Sequence, residues 1–156
     1  MAEILQNQTY EMENVLSRRG NFSQAELQTE LQKIGVLLKE LVVEKNGSIV
    51  TATFSIEPTS GVMDIEVLVP LNKAVALPEG YTLKPAFKLT NAVKVRHAGN
   101  PALLQKSADE LNAYIQTNAL TPITVGYNVT VKEPTSPEDI ENMIIDMYAG
   151  ISPNIL

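Results

Sequence analysis

Val95-Arg96-His97-Ala98-Gly99-Asn100-Pro101 is the stretch that decides how this chain is read. An alternating apolar run ends in a glycine turn, and asparagine followed by proline then opens a helix, with the proline placed where a missing N–H costs nothing. The same order occurs once before. Arg18-Arg19-Gly20-Asn21 leads into Ser23-Gln24-Ala25-Glu26, a capping box in which serine and glutamate each satisfy a free backbone N–H. Gly20 and Gly99 stand 79 residues apart, Leu27 and Leu104 stand 77 apart, and the acids Glu66 and Asp146 stand 80 apart. The chain reads as a half-domain written twice.

Outward from these turns, periodicity assigns the elements. Leu27, Leu31, Ile34, Leu38 and Leu41 form one helical stripe, and Leu104, Ala108, Leu111 and Ile115 repeat its spacing over a second helix at 101–116. Asn46-Gly47 is expected to supply the positive φ that reverses the chain after the first helix. Period-2 alternation marks strands at 49–57, 62–71, 85–97 and 123–131, and a last one around Asp146. Tyr10 to Ser17 reads as a first strand that turns at Arg19–Asn21, while residues 1–9 show no period. Residues 133–141 read as a loop. Each half is therefore β-α-β-β, at about 8–72 and 85–152 with a connector at 73–84. The expected fold is α+β: one domain over 1–156, with pseudo-twofold symmetry, two helices on antiparallel sheet, and a groove between the halves.

Composition narrows the functions. Eighteen acids against twelve bases give a net charge of −6 with no basic cluster, which argues against direct binding to nucleic acid. The chain has no cysteine, which removes disulfides and thiolate metal sites, and a single histidine, His97, makes a histidine metal centre or triad a poor fit. No cofactor is expected. No apolar run reaches membrane-spanning length and no signal-like segment opens the chain, so no membrane association is expected and a cytoplasmic protein is the default. His97 and the two turn glycines are expected to be structural, the glycines for their backbone freedom.

The order strand–Arg96-His97-Ala98-Gly99–helix, the break Leu120-Thr121-Pro122, the strand bearing Tyr127, the acid of Asp146-Met147-Tyr148-Ala149, and the first-half strand Glu66-Val67-Leu68-Val69-Pro70 together resemble the GyrI-like family. That small-molecule-binding fold also serves as the effector domain of AraC-type and MerR-type regulators and is related to the SOUL proteins. The resemblance covers roughly residues 8–152. It implies a hydrophobic groove in which an acid in the closing strand attracts lipophilic cations. Asp146 inherits that role, although it is one methylene shorter than the family's usual glutamate, and the chain has no tryptophan to wall the groove.

The ligand-binding residues expected on this basis are Asp146, Tyr148, Glu66, Leu68, Tyr10 and Asn128. Tyr127, on a face with Val125 and Val129, is expected in the core. The leading expectation is a stand-alone binder of a hydrophobic cation, since only nine residues precede the fold and leave no room for a helix-turn-helix. A protein-interaction role, such as antagonism of gyrase or of a gyrase-directed toxin, is the alternative. Hydrolysis with Asp146 as general base ranks last.

Overall fold

In a computed structural model, residues 3–100, 103–133 and 136–152 are described. The elements are β1 (Ile4–Phe22), α1 (Gln24–Glu40), β2 (Val50–Ile56), β3 (Met63–Pro70), β4 (Thr82–Ala98), α2 (Leu104–Thr117), β5 (Pro122–Lys132), a 3-10 turn (Pro137–Asn142) and β6 (Ile144–Ile151). The chain is α+β with antiparallel strand pairing, and it divides into two compact units, Glu11–Phe87 and Met1–Tyr10 with Lys88–Leu156. No described helix is long and apolar enough to cross a membrane.

In the Glu11–Phe87 unit, β3 lies between β1 and β2. Its residues Ile65, Val67 and Val69 pack with Leu27, Ile34 and Leu38 of α1. The capping box forms as the sequence predicts: the Glu26 N–H donates to Ser23 Oγ, and the Ser23 N–H donates to Glu26 Oε1. In the other unit β6 lies between β4 and β5, and Ile145, Met147, Ala149 and Ile151 pack with Leu111 and Ile115 of α2. Ile4 also joins that cluster, so residues 4–9, which show no period in the sequence, belong to β1 and to this unit.

Several expectations are corrected. β1 does not turn at Arg19–Asn21; Gly20 pairs with Ile65 inside the strand. A Cβ at Gly20 would lie 3.0 Å from the Phe22 ring, so this glycine makes room for an aromatic side chain instead of providing a turn. Gly99, at φ +118°, does need its conformational freedom. In α2 the N-cap is Leu103, not Asn100, and Pro101 lies outside the described residues. The expected loop at 133–141 is partly a 3-10 turn, which runs over Pro137–Asn142.

Gly47 has the expected positive φ, at +134°, but it lies beyond the end of α1 and does not close the helix. The helix ends in a Schellman motif: the N–H groups of Val42 and Val43 donate to the carbonyls of Lys39 and Leu38, and Val42 sits at φ +56°. α2 closes in the same way 77 residues later, with Ala119 at φ +52° and the N–H groups of Ala119 and Leu120 on Gln116 and Ile115. A β-branched residue in the left-handed region is strained by roughly 1–2 kcal/mol. Val42 is 78% exposed, so Val42→Gly gives up little packing. Part of the relief is offset by glycine's greater unfolded-state freedom. The expected net gain is ~1 kcal/mol, read as a rise in Tm of about 2–4 °C in a thermal melt.

The second face of β3 and of β6 is also buried. Cross-strand partners share a face, so the pairs Val50↔Leu68 and Ala52↔Glu66 put the apolar side of β2 on the face away from α1, not under it. Val15, Val50, Ala52 and Leu68 are all fully buried there. β5 behaves alike: Val129 pairs with Asp146 and Tyr127 with Tyr148. A strand's apolar alternation names one face without saying which, and a one-residue difference in register exchanges the two.

Candidate functional site

The face of β6 away from α2 carries Asp146 and Tyr148, and β4 places Arg96 opposite the first and Lys94 opposite the second. Asp146 is only 3% exposed. Its carboxylate accepts two hydrogen bonds from one guanidinium, Arg96 Nε to Oδ1 at 2.7 Å and Nη2 to Oδ2 at 2.9 Å. Such a fork is the geometry in which arginine holds a carboxylate most firmly, and it raises the pKa of Arg96 through hydrogen bonding to Asp146 and its charge. Lys94 Nζ lies 3.6 Å from Oδ2 and 5.9 Å from the centre of the Tyr148 ring. The Lys94 side chain is largely withdrawn from water, at 17% exposure, whereas that of Arg96 is half exposed.

Tyr10, near the start of β1, lies against Tyr148 with ring centres 5.3 Å apart and planes tilted by 45°. Burial raises the pKa of both phenols, and the Asp146 charge raises them further. Both are therefore neutral hydroxyls at ordinary pH. Three of the expected residues, Asp146, Tyr148 and Tyr10, thus come together within one unit. Tyr127, expected in the core, belongs to the same face by its pairing with Tyr148. Asn128 does not: it pairs with Met147 and so stands on the face turned toward α2.

Glu66 and Leu68 belong to the Glu11–Phe87 unit. Glu66 is buried, accepts from the Ser17 hydroxyl, and takes Lys84 Nζ at 2.7 Å. Arg19, its partner across the ladder, turns instead to Asp64 with bonds of 3.1 and 3.0 Å and stacks 3.8 Å above the Phe54 ring. Where the other unit has Lys94 and Tyr148, this unit has Ser17 and the fully buried Leu68. Its acid has no aromatic neighbour on the corresponding strand position and no second cation at that point of the ladder.

His97 takes a structural position. Its Nε2–H donates to the Asn100 carbonyl at 2.9 Å, because a carbonyl can only accept, and Nδ1 accepts from the Ser107 hydroxyl at 2.9 Å. With Lys106 and Glu110 it lines a cleft of about 470 Å³ beside α2, but both of its ring nitrogens are engaged. On α1, Glu30 stands where Ser107 does on α2, buried and accepting from Arg18 Nε at 3.2 Å and from the Tyr81 hydroxyl at 2.9 Å.

Sequence reading missed Lys94 and Glu30. Lys94 was visible only as a polar residue in an alternating strand, and pairing β4 with β6 is what makes it a neighbour of Asp146. Glu30 follows Leu27 by three residues, on the buried stripe itself. That position signals a partnered charge, but does not say with what.

The fold is shared with solved structures at low sequence identity. The C-terminal domain of EcmrR aligns with a TM-score of 0.77 at 14% identity, covering 97% of this chain and 98% of that one. EcmrR in its complex with DNA aligns with a TM-score of 0.71 at 14% identity over 97% of this chain, which spans 57% of that longer chain. A hydrolase from Listeria innocua gives 0.66 at 12% identity, covering 97% and 91% of the two chains. No protein-family model and no curated protein matches. The chain thus has the α+β fold of the EcmrR C-terminal domain.

Proposed function

We propose that this chain is a GyrI-like small-molecule-binding domain, built from two repeats of one half-domain, that takes up a hydrophobic cation at the Asp146 face. The reading rests chiefly on one observation: a buried carboxylate and an aromatic ring hold an amine cation between them, Lys94 Nζ, without forming a close hydrogen bond to it. A buried acid beside tyrosine rings favours a positive charge through both Coulomb attraction and the ring quadrupole. The second tyrosine, Tyr10, extends the aromatic surface on which an apolar ligand body would lie. In the other unit, Glu66 is already bonded to Ser17 and Lys84 with aliphatic neighbours. Glu66 and Leu68 then support the fold, and the ligand is taken at Asp146, Tyr148 and Tyr10.

Asp146 is poorly arranged to act as a general base, because each of its oxygens already accepts from Arg96. The similarity to a hydrolase extends to fold only. The test of the binding reading is a thermal-shift screen of wild type and Asp146→Asn against lipophilic cations, neutral isosteres and anions. Binding to the native state raises Tm by mass action. The expected result is a cation-selective rise in wild type that is lost in Asp146→Asn. A screen in which cations and their neutral isosteres shift wild type equally, or not at all, would refute it.

A further inference from the structure

We infer that Lys94 is a tethered competitor for the ligand: its ammonium occupies the position between Asp146 and Tyr148 that a ligand cation needs, and must swing out before one can bind. This rests on the reading of the Asp146 face as a cation site, and it adds what sets the affinity. The two cations on Asp146 are held differently. Arg96 makes a fork of bonds at 2.7 and 2.9 Å, whereas Lys94 Nζ stands at 3.6 Å, outside the range of a hydrogen bond. Among the described residues no hydrogen bond of ordinary length holds that ammonium, although it has three donors and little contact with water. It is the least tightly held charge in the cluster. Its four-carbon stem lets it rotate away without moving β4.

Charge balance requires exchange instead of addition. Arg96 and Asp146 together are neutral, so Lys94 leaves the cluster with one net positive charge. A second cation entering beside Lys94 would place two uncompensated charges in a spot largely closed to water, which is costly. Replacing one cation by another leaves the local charge unchanged. The Glu11–Phe87 unit offers an internal contrast: Ser17 stands where Lys94 does and Leu68 where Tyr148 does, and the lysine that reaches its acid, Lys84, is held by a hydrogen bond of 2.7 Å.

The test is isothermal titration calorimetry with tetraphenylphosphonium, using tetraphenylborate as the anion of like shape, on wild type, Lys94→Met, Lys94→Gln and Lys94→Arg. Methionine keeps the apolar stem and removes the charge. Glutamine is a second neutral variant should methionine misfold, and arginine keeps the charge. If the amine fills the site in about nine molecules of ten, removing it tightens apparent affinity about tenfold. Tetraphenylphosphonium should then bind both neutral variants about tenfold more tightly than wild type and Lys94→Arg, with no such gain for tetraphenylborate. Unchanged or weaker cation binding in the neutral variants, with wild type still binding, would overturn the competitor role and leave the cation site standing. Absence of cation binding in every variant would overturn both. Tetraphenylborate binding that is lost on removing Lys94 would show the lysine to be an anion anchor, which also overturns the proposal.

Discussion

Arg96→Met is expected to destabilise the protein by about 2 kcal/mol, most of it from leaving the Asp146 carboxylate buried without its fork of hydrogen bonds. Removing one partner of a buried ion pair ordinarily costs about 3–5 kcal/mol. Two features of this site reduce that figure. The Arg96 side chain is half exposed, so solvent already screens part of the attraction, and Lys94 remains 3.6 Å from Oδ2. Methionine retains an apolar stem of similar length, so the loss reports mainly the charge. The cost should largely disappear in Arg96→Met/Asp146→Asn, which has no buried anion to strand. Urea unfolding of the four proteins of this cycle gives the coupling directly, at roughly 2 kcal/mol if the buried carboxylate is the cause. Equal losses in the single Arg96→Met variant and the double variant would place the effect elsewhere.

The same pair shows how far the sequence could be read. The spacing that suggests a duplication was legible because residue types recur: the leucine stripes, the two glycines and the two acids at nearly constant separation. The structure adds backbone positions at a similar separation. Asn14 and Asn91, 77 residues apart, both adopt positive φ inside strands, and Val42 and Ala119 both close helices in the left-handed region. Asparagine tolerates that conformation, so the first pair carried a signal; valine and alanine do not advertise it.

Asp146, Tyr148 and Tyr10 were legible from alternation and resemblance. Which groups face Asp146 was not, because a cross-strand neighbour lies some fifty residues away in sequence and depends on register. Nor could alternation assign the apolar sides of β2 and β5, where both faces of the sheet are buried. Asn128 was misplaced for the same reason: it lies in a regular part of the β5–β6 ladder, opposite Met147, and only that register puts it on the face toward α2. Earlier in β5 the ladder is irregular, between Pro122 and Gly126.

That irregularity leaves Gly150 the most crowded of the eight glycines, and Gly150→Ala is expected to cost about 2 kcal/mol. A Cβ built at Gly150 would stand 2.8 Å from Thr124 Cγ2 and 3.1 Å from Thr124 Oγ1. The Gly150 N–H donates to that same Oγ1 at 2.8 Å, and the hydroxyl donates onward to the Val125 carbonyl at 2.8 Å. Thr124 therefore cannot rotate its methyl away from a new Cβ without giving up both bonds, and its β-branched side chain has few rotamers to choose from. Overpacking of this kind typically costs about 1–3 kcal/mol, and a lost hydrogen bond adds about 1 kcal/mol. Thr124→Ser removes the methyl but keeps the oxygen that bridges the bulge. Gly150→Ala/Thr124→Ser should accordingly recover more than half of the loss, measured by urea unfolding, whereas Gly150→Ala/Thr124→Val should recover none. If serine gives no rescue, steric overlap at Thr124 is not what keeps position 150 a glycine. The strand carrying Asp146 and Tyr148 would then owe its register to something other than this bulge.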